Sequence, residues 1–416
     1  MLGGLGVTYA LNALAPRRQP PIVFLWSFFA SWITIELVWH HLVIGAIFTG
    51  FLVSGGALDQ PGGVVGLVLM VVTGAILVTI GITTRRTVIS MQGALTDLEP
   101  GDDAPRFPRS HVVLPFLLNR RKGVSRQRNI TFARIGGKHL RLDVTIPSAP
   151  VPAGRTLRPA LMQIHGGGWV LGDKREQGLP LLNHMAVQGW VGFNVNYRLS
   201  PGVALPEHLV DLKRGLAWIK EHAADYGVDP DFICVTGGSA GGHLTALMGL
   251  TVNDAAYQPG FEDADTSVAA AVPFYGIYDL TDAGVFGGNP EIFAKFLEPI
   301  VMQAFLADEP EKYEDVSPLH HLRSDAPPFF VIHGDKDTLA PVEDARTFVE
   351  RLRAVSEEPV LYGEMQGAQH AFEVFPSART AKVIEGVERF LSTLWERRQA
   401  STPAVEAELA DALSDG

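Results

Sequence analysis

The stretch Phe232-Ile233-Cys234-Val235-Thr236-Gly237-Gly238-Ser239-Ala240-Gly241-Gly242-His243-Leu244-Thr245-Ala246-Leu247 decides the fold. An apolar, β-type run from Phe232 to Thr236 enters a Gly-x-Ser-x-Gly turn, and an apolar small-residue run of helical character leaves it. Strand, tight turn and helix in that order make a nucleophile elbow. Side chains two residues either side of the serine would collide with neighbouring backbone, and glycine removes the collision. The serine Oγ is left exposed at a helix N-terminus, where partial positive charge favours a developing anion.

Three further stretches complete a nucleophilic site. His165-Gly166-Gly167-Gly168-Trp169 follows the apolar run Pro159 to Ile164, a buried strand. The backbone N–H groups of Gly167 and Gly168, with that of Ala240, are the candidate donors to an oxyanion, and Gly166 is a further candidate. The run Phe329 to Ile332 reads as another buried strand, ending in His333-Gly334-Asp335-Lys336-Asp337. A carboxylate just past a strand's C-terminal end lies on the edge where open α/β sheets place their sites. Asp337 is preferred as the orienting carboxylate because it lies further into the loop; Asp335 is the alternative, with turn formation as its competing role. Gly367-Ala368-Gln369-His370-Ala371-Phe372 follows the strand-like run Pro359 to Gly363 and precedes the C-terminal helix. Ser239, Asp337 and His370 then stand in the order nucleophile, acid, histidine. The adjacent pairs His40/His41 and His320/His321 point to different sides of their backbone and make poor co-ligands, so no metal is expected. The pattern calls for no organic cofactor.

The chain resembles the hormone-sensitive-lipase-like carboxylesterases of the α/β-hydrolase superfamily. The resemblance rests on HGGGW at 165–169, NYRLSP at 196–201, GGSAGGHL at 237–244, PFYGIYDL at 273–280, HGDKD at 333–337 and HAF at 370–372. Within that group it is similar to actinobacterial esterases that carry an apolar N-terminal extension. Two positions depart from the commoner elbow of the group, which has an acidic residue in place of Gly238 and asparagine in place of His243. The form GGSAGGHL is similar to a neighbouring branch that includes feruloyl-esterase-like and formamidase-like enzymes.

Residues and resemblance together imply a serine carboxylesterase for short- to medium-chain carboxylic esters, lipid esters among them. Ser239 attacks the carbonyl, His370 moves the proton, Asp337 orients the imidazole, and Gly167, Gly168 and Ala240 hold the oxyanion. The same triad also serves amidases, formamidases and acyltransferases. From a different class, a binding protein could keep this fold without turnover.

The 416 residues carry a net charge of −11, and no basic stripe with interleaved aromatics marks a nucleic-acid surface. The one cysteine, Cys234, lies mid-strand and is expected as a small buried side chain. Mean hydropathy is +0.15, high for a soluble enzyme, and the excess comes from residues 1–86. Between Gln19 and Thr84 only Glu36 and Asp59 are charged. Gly63 to Thr83 would rise about 30 Å as a helix, the thickness of a bilayer core. Leu37 to Leu58 is a second candidate span, and the shorter, aromatic-rich Ile22 to Ile35 suits an interfacial helix. Residues 1–86 therefore read as a helical membrane anchor, the alternative being an extension packed on the catalytic domain as part of its cap. Arg17-Arg18 and Arg85-Arg86 flank the apolar region, which fits a two-span hairpin in a bacterial cell membrane with the catalytic domain on the cytoplasmic side. Since every candidate catalytic residue lies beyond 160, this region is expected to be dispensable for hydrolysis of small soluble esters.

Residues 87–123 read as a linker, broken by Pro100, Pro105, Pro108 and Pro115 and closed by Arg120-Arg121-Lys122. Residues 124–397 form the catalytic domain, a hairpin around Gly136-Gly137 followed by β-α alternation, which predicts a mostly parallel sheet flanked by helices. Within it, 281–325 is a cap insertion with an aromatic and apolar run from Phe293 to Phe305. Residues 398–416 read as a tail, disordered or weakly helical. Nothing in the sequence sets an oligomeric state.

Overall fold

Gly136 and Gly137 take φ of +55° and +76°, the left-handed pair that a two-residue hairpin turn requires. They join β1 (Val124–Ile135) to β2 (Lys138–Pro147). In this computed structural model residues 1–414 are described except 19–20, 97, 99–105, 116–120, 152–155 and 282–289. Pro100, Pro105, Arg120 and the first part of the expected cap insertion lie outside the described residues.

After the hairpin, strands and helices alternate: β3 (Arg158–Ile164), β4 (Val191–Val195), β5 (Val228–Gly238), β6 (Ala270–Phe274), β7 (Phe329–Gly334) and β8 (Val360–Met365). They form one eight-stranded sheet in the order β1-β2-β4-β3-β5-β6-β7-β8. The pairs β1/β2 and β2/β4 are antiparallel and every later pair is parallel, so the fold is α/β with a mostly parallel sheet. β3, β4 and β6 are buried along their whole length, which is why they read as largely apolar runs.

Helices cover both faces. On one, α8 (Glu207–Glu221), α9 (Ala240–Leu250) and α12 (Val342–Val355) bring Leu212, Leu216, Leu247 and Phe348 to a core with Val144, Phe193 and Val235. On the other, α7 (Leu179–Val187) and α13 (Ala378–Ser414) pack Leu182, Met185, Val387 and Phe390 against Leu161, Cys234 and Phe330. Cys234 is fully buried there, as expected. Helix α13 continues to Ser414, so the segment 398–414 takes the helical form; its Ala, Glu and Leu content favours helix. Residues 87–123 are more than a connection. Met91 of α5 (Thr87–Ala94), Leu95, Leu98 and Phe107 join that second core, and α6 (Arg109–Val113) follows. The described part of the insertion begins with α10 (Pro290–Ile292), runs on as a π-helical stretch Phe293–Met302 and ends in α11 (Pro310–Glu314).

The N-terminal region holds α1 (Leu2–Leu14), α2 (Pro21–Glu36), α3 (Val38–Ser54) and α4 (Pro61–Arg85). The run Pro61–Ala94 is long and apolar enough to cross a membrane, and α2 and α3 meet at 85°. Sequence reading passes over α1 because its glycines depress helix propensity. Those glycines serve close packing instead: a Cβ on Gly3 would stand 2.7 Å from the carbonyl oxygen of Gly66 in α4. Ala10 and Ala13 of α1 meet Leu77 and Ile80 of α4 in a small core of their own.

The elbow glycines meet the close approach their pattern implies. A Cβ on Gly241 would lie 2.3 Å from the Ile164 carbonyl oxygen and 2.8 Å from that of His165, both backbone atoms at the end of β3. Gly241→Ala is expected to destabilise the fold by about 3 kcal/mol or more, because backbone cannot yield as a side chain can. Gly93→Ala in α5, where nothing stands within 4 Å, should stabilise slightly, by up to about 1 kcal/mol. Thermal unfolding of both variants checks the contrast, and a Gly241→Ala protein melting with the wild type would contradict this account of the turn.

Candidate active site

Ser239 follows directly on β5 and caps α9 with φ 59° and ψ −123°, a conformation L-residues rarely hold. Its N–H donates to the Phe274 carbonyl of β6 at 3.0 Å, and its own carbonyl accepts the first helical bond from His243 N at 2.9 Å. These two bonds pin the strained residue on either side. The side chain is partly exposed and lies against Gly166: a Cβ there would be 3.1 Å from the Ser239 Cβ.

The glycine loop after β3 bends through Gly167 (φ +117°) and Gly168 (φ +59°). A Cβ on Gly167 would strike the Leu171 carbonyl at 2.2 Å, so the loop is closed on itself by the bond from Leu171 N to Gly167 O at 2.9 Å. Gly166 N is occupied, donating to Gln177 Oε1 at 2.7 Å. Among the described residues no group accepts from the N–H of Gly167, Gly168 or Ala240. Three amides so placed beside a serine are what an oxyanion requires. Phe296 of the π-helical stretch reaches this loop, 3.3 Å from where a Gly168 Cβ would stand. His165 is structural: its ring stacks on Tyr197 at 4.4 Å, and Tyr197 Oη donates to the His165 carbonyl at 2.9 Å.

Asp337 and His370 come together from the loops after β7 and β8. His370 Nδ1 is 2.6 Å from Asp337 Oδ2, and Asp337 Oδ1 accepts from Leu339 N and Ala340 N, each at 2.8 Å. Burial works against the charge on Asp337, but the imidazoles of His370 and His333 outweigh it and hold the carboxyl well below the ordinary carboxylate range. An ionised Asp337 fixes the imidazole with its proton on Nδ1, leaving Nε2 as an acceptor. That Nε2 is buried and has no hydrogen-bond partner among the described residues. Asp335 does turn work, its Oδ1 accepting from Gly367 N at 2.6 Å.

Several residues at the site were not singled out by sequence. His333 Nε2 lies 3.3 Å from Asp337 Oδ2 and 3.0 Å from the Ala340 carbonyl. Tyr275, at φ +35°, places its ring 4.4 Å from that of His370. Its hydroxyl would be 2.5 Å from a Cβ on Gly238, so an acidic side chain cannot occupy position 238 in this arrangement. The Tyr275 hydroxyl instead donates to the buried carboxylate of Glu373. His243 is held between Trp169 Nε1, which donates to Nδ1 at 3.3 Å, and the Val316 carbonyl, 2.6 Å from Nε2. Burial drives its pKa down to about 4, so it is a neutral strut between the elbow helix, the glycine loop and the insertion. The clues were the YG and HAFE stretches, but only the fold sets 275 and 373 side by side. The N-terminal helices also reach the site: Arg18 Nη2 donates to the Asp337 carbonyl at 2.9 Å and Trp32 Nε1 to the Ala371 carbonyl at 2.8 Å. Part of residues 1–86 thus packs on the catalytic domain, because the loop after the edge strand β8 has no further strand to lean on and leans on α2.

Burial pushes the Glu373 carboxyl up to about 7, against the lowering effect of the Tyr275 hydrogen bond. A carboxyl whose pKa is raised in the folded state binds its proton more tightly there. Its contribution to stability is therefore full below the unfolded pKa near 4.5 and is lost as pH rises towards 7. Asp344, also pushed up to about 7 by burial, titrates in the same window, so comparison with a variant is needed. Between pH 4.5 and 7.5 the stability of Glu373→Gln relative to wild type should rise by about 3 kcal/mol in urea unfolding. A difference that stays flat with pH would contradict the burial of an ionisable Glu373.

The BD-FAE family model matches residues 142–352, a span that holds the glycine loop, the elbow and Asp337. "Probable carboxylic ester hydrolase LipM" of Mycobacterium tuberculosis is 48% identical over 250 residues, which are 59% of this chain and 58% of that protein. "Esterase LipQ" of the same organism is 44% identical over 266 residues, 64% of this chain and 62% of its own length. The chain thus spans about three-fifths of the length of these curated relatives. Among solved structures, a propionate-bound thermophilic esterase, Est2 of Thermogutta terrifontis, superposes with a TM-score of 0.54 at 26% identity, covering 65% of this chain and 94% of that one. With half of its length matched by one family and the same α/β architecture beneath it, the chain belongs to the BD-FAE family of α/β hydrolases.

Proposed function

We propose that the protein is a serine carboxylesterase that hydrolyses short- to medium-chain carboxylic esters through an acyl-enzyme. The observation that carries this reading is the 2.6 Å contact between His370 Nδ1 and Asp337 Oδ2, with Nε2 left unpartnered in the same site as a strained serine. Ser239 Oγ attacks the ester carbonyl while His370 Nε2 takes its proton. The carbonyl oxygen becomes an oxyanion held by the N–H groups of Gly167, Gly168 and Ala240. His370 returns the proton to the leaving alcohol, and water repeats the sequence to release the acid. Asp337 stays ionised throughout, stabilising the imidazolium. The names of the mycobacterial relatives, and the propionate and butyrate bound to Est2, support small esters as the substrate class. The quoted motifs support a place in the hormone-sensitive-lipase-like group, with Phe296 and its neighbours acting as a cap over the acyl side.

The N-terminal region supports a membrane location. Val43, Ile47, Phe48 and Phe51 of α3 and Val64, Val65, Val68 and Val71 of α4 are exposed apolar side chains on neighbouring helices. In water such a surface is costly, and in a bilayer it is not. In this reading α3 and α4 form the hairpin and α2 lies at the interface beside the catalytic domain, on the cytoplasmic side. Lipid esters would then reach the site from the membrane.

Ser239→Ala should lower the rate on p-nitrophenyl esters about 10⁴-fold or more, because the members of a triad act as a unit. More than about one per cent of wild-type rate in a clean preparation would rule out Ser239 as nucleophile. Asp337→Asn should cost about 10⁴-fold, as the wrong tautomer does in serine proteases. Asp335→Asn keeps an acceptor for Gly367 N and should cost little by comparison; the reverse ranking in steady-state kinetics would exchange their roles.

A further inference from the structure

A buried polar network runs from the N-terminal helices to the backbone of the catalytic loops. Gln369 is its hub. The carboxamide oxygen of Gln369 accepts from Thr338 N at 2.8 Å and from His370 N at 2.9 Å. One side chain thereby ties the segment after Asp337 to the histidine. Its Nε2 donates to Ser31 Oγ of α2 at 3.0 Å. Ser31 donates onward to the Ser27 carbonyl at 2.7 Å, and Ser27 Oγ to Asn12 Oδ1 of α1 at 2.6 Å. Gln369, Ser27 and Ser31 are all inaccessible to water, so each of these bonds would be expensive to leave unmade.

A second link lies one residue past the histidine. Ala371 takes φ +60°, which an L-residue holds only where its surroundings impose it. Trp32 Nε1 donates to the Ala371 carbonyl at 2.8 Å while its ring stacks on Phe375 at 4.5 Å. Phe28, one turn earlier on α2, sets its ring edge-on to that of His370 at 6.2 Å. Further along, Glu36 at the end of α2 forms a fully buried ion pair with Arg379, 3.0 Å apart, and accepts from Ser377 Oγ at 2.7 Å. The loop after β8 is thus held along its length by one face of α2. Leu25, Trp26 and Phe29 of α2 are exposed.

We propose that α2 is a positioning element of the catalytic site: Ser31, through Gln369, and Trp32, through Ala371, hold His370 and the Asp337 loop in register with Ser239. The inference rests on the serine-esterase reading above. Neither residue touches the reacting atoms, so their loss acts on orientation. A displacement of about 1 Å in such a site can cost about 10²-fold in rate.

The test uses the full chain in detergent, with active sites titrated by a fluorophosphonate. Ser31→Ala removes the acceptor for Gln369. Trp32→Phe keeps an aromatic ring against Phe375 and removes the N–H. Each should lower kcat per titrated site about ten- to a hundredfold while KM for p-nitrophenyl acetate moves less than about twofold. Fluorophosphonate labelling should slow in step, and Ser31→Thr, which keeps the hydroxyl, should recover most of the rate. Leu25→Ala, at an exposed position of α2 that takes no part in these bonds, should leave kcat at the wild-type value. Wild-type kcat per titrated site in both Ser31→Ala and Trp32→Phe would overturn the positioning role, as would a loss confined to the amount of titratable protein. Activity that survives Ser239→Ala would instead sink the esterase reading itself, so the two failures are distinguishable.

Discussion

The close approach of the elbow to the end of β3 is the constraint on which the rest of the site depends. Gly237 and Gly241 leave no room for a Cβ between their Cα atoms and the Ile164 carbonyl, at 2.5 Å and 2.3 Å. Because β3 and β5 are parallel neighbours, this contact fixes the glycine loop beside the nucleophile, and the bond from Trp169 Nε1 to His243 Nδ1 braces the two from the side. Strain at Ser239 is held by backbone on both sides, and close-packed backbone does not relax as a flexible side chain would.

The acid and the histidine are fixed by a different device. β7 and β8 lie at one side of the sheet, and the loop after β8 leaves an edge. A loop there has a strand behind it on one side alone and needs external support to hold one geometry. Tyr275 and Glu373 support it from beneath, and α2 from outside. Buried polar networks of this kind order their members only when every group is satisfied, so the N-terminal helices and the catalytic loops are coupled in stability. A region whose composition suits lipid also packs against the loops of the candidate site. Both properties come from α2, which presents polar groups and Phe28 to the loop and aromatics to the outside.

The order of strands and helices was legible because most core strands of this sheet are short, largely apolar runs with glycine at or just past their ends. All eight strands lie where alternation and apolar runs place them, with boundaries a few residues longer or shorter. The nucleophile and the glycine loop were legible for the same reason as the turns: positive φ and forbidden Cβ positions leave few residue choices. Asp337 was separable from Asp335 only weakly, since both sit in one loop. The bond from Gly367 N to Asp335 and the contact of Asp337 with His370 separate them in space.

The sequence by itself determined the periodicities, the glycine positions and the apolar lengths, all properties of residues near one another in the chain. Only the tertiary structure decided what depends on residues far apart. Tyr275 meets Glu373 across 98 positions, and Ser31 meets Gln369 across 338. No local pattern encodes a hydrogen bond between two segments that each make chemical sense alone. For that reason the N-terminal region reads from its sequence as a separate apolar piece. In the folded chain it is tied to the catalytic loops, because a serine or tryptophan on one helix face means little until the loop it supports is beside it.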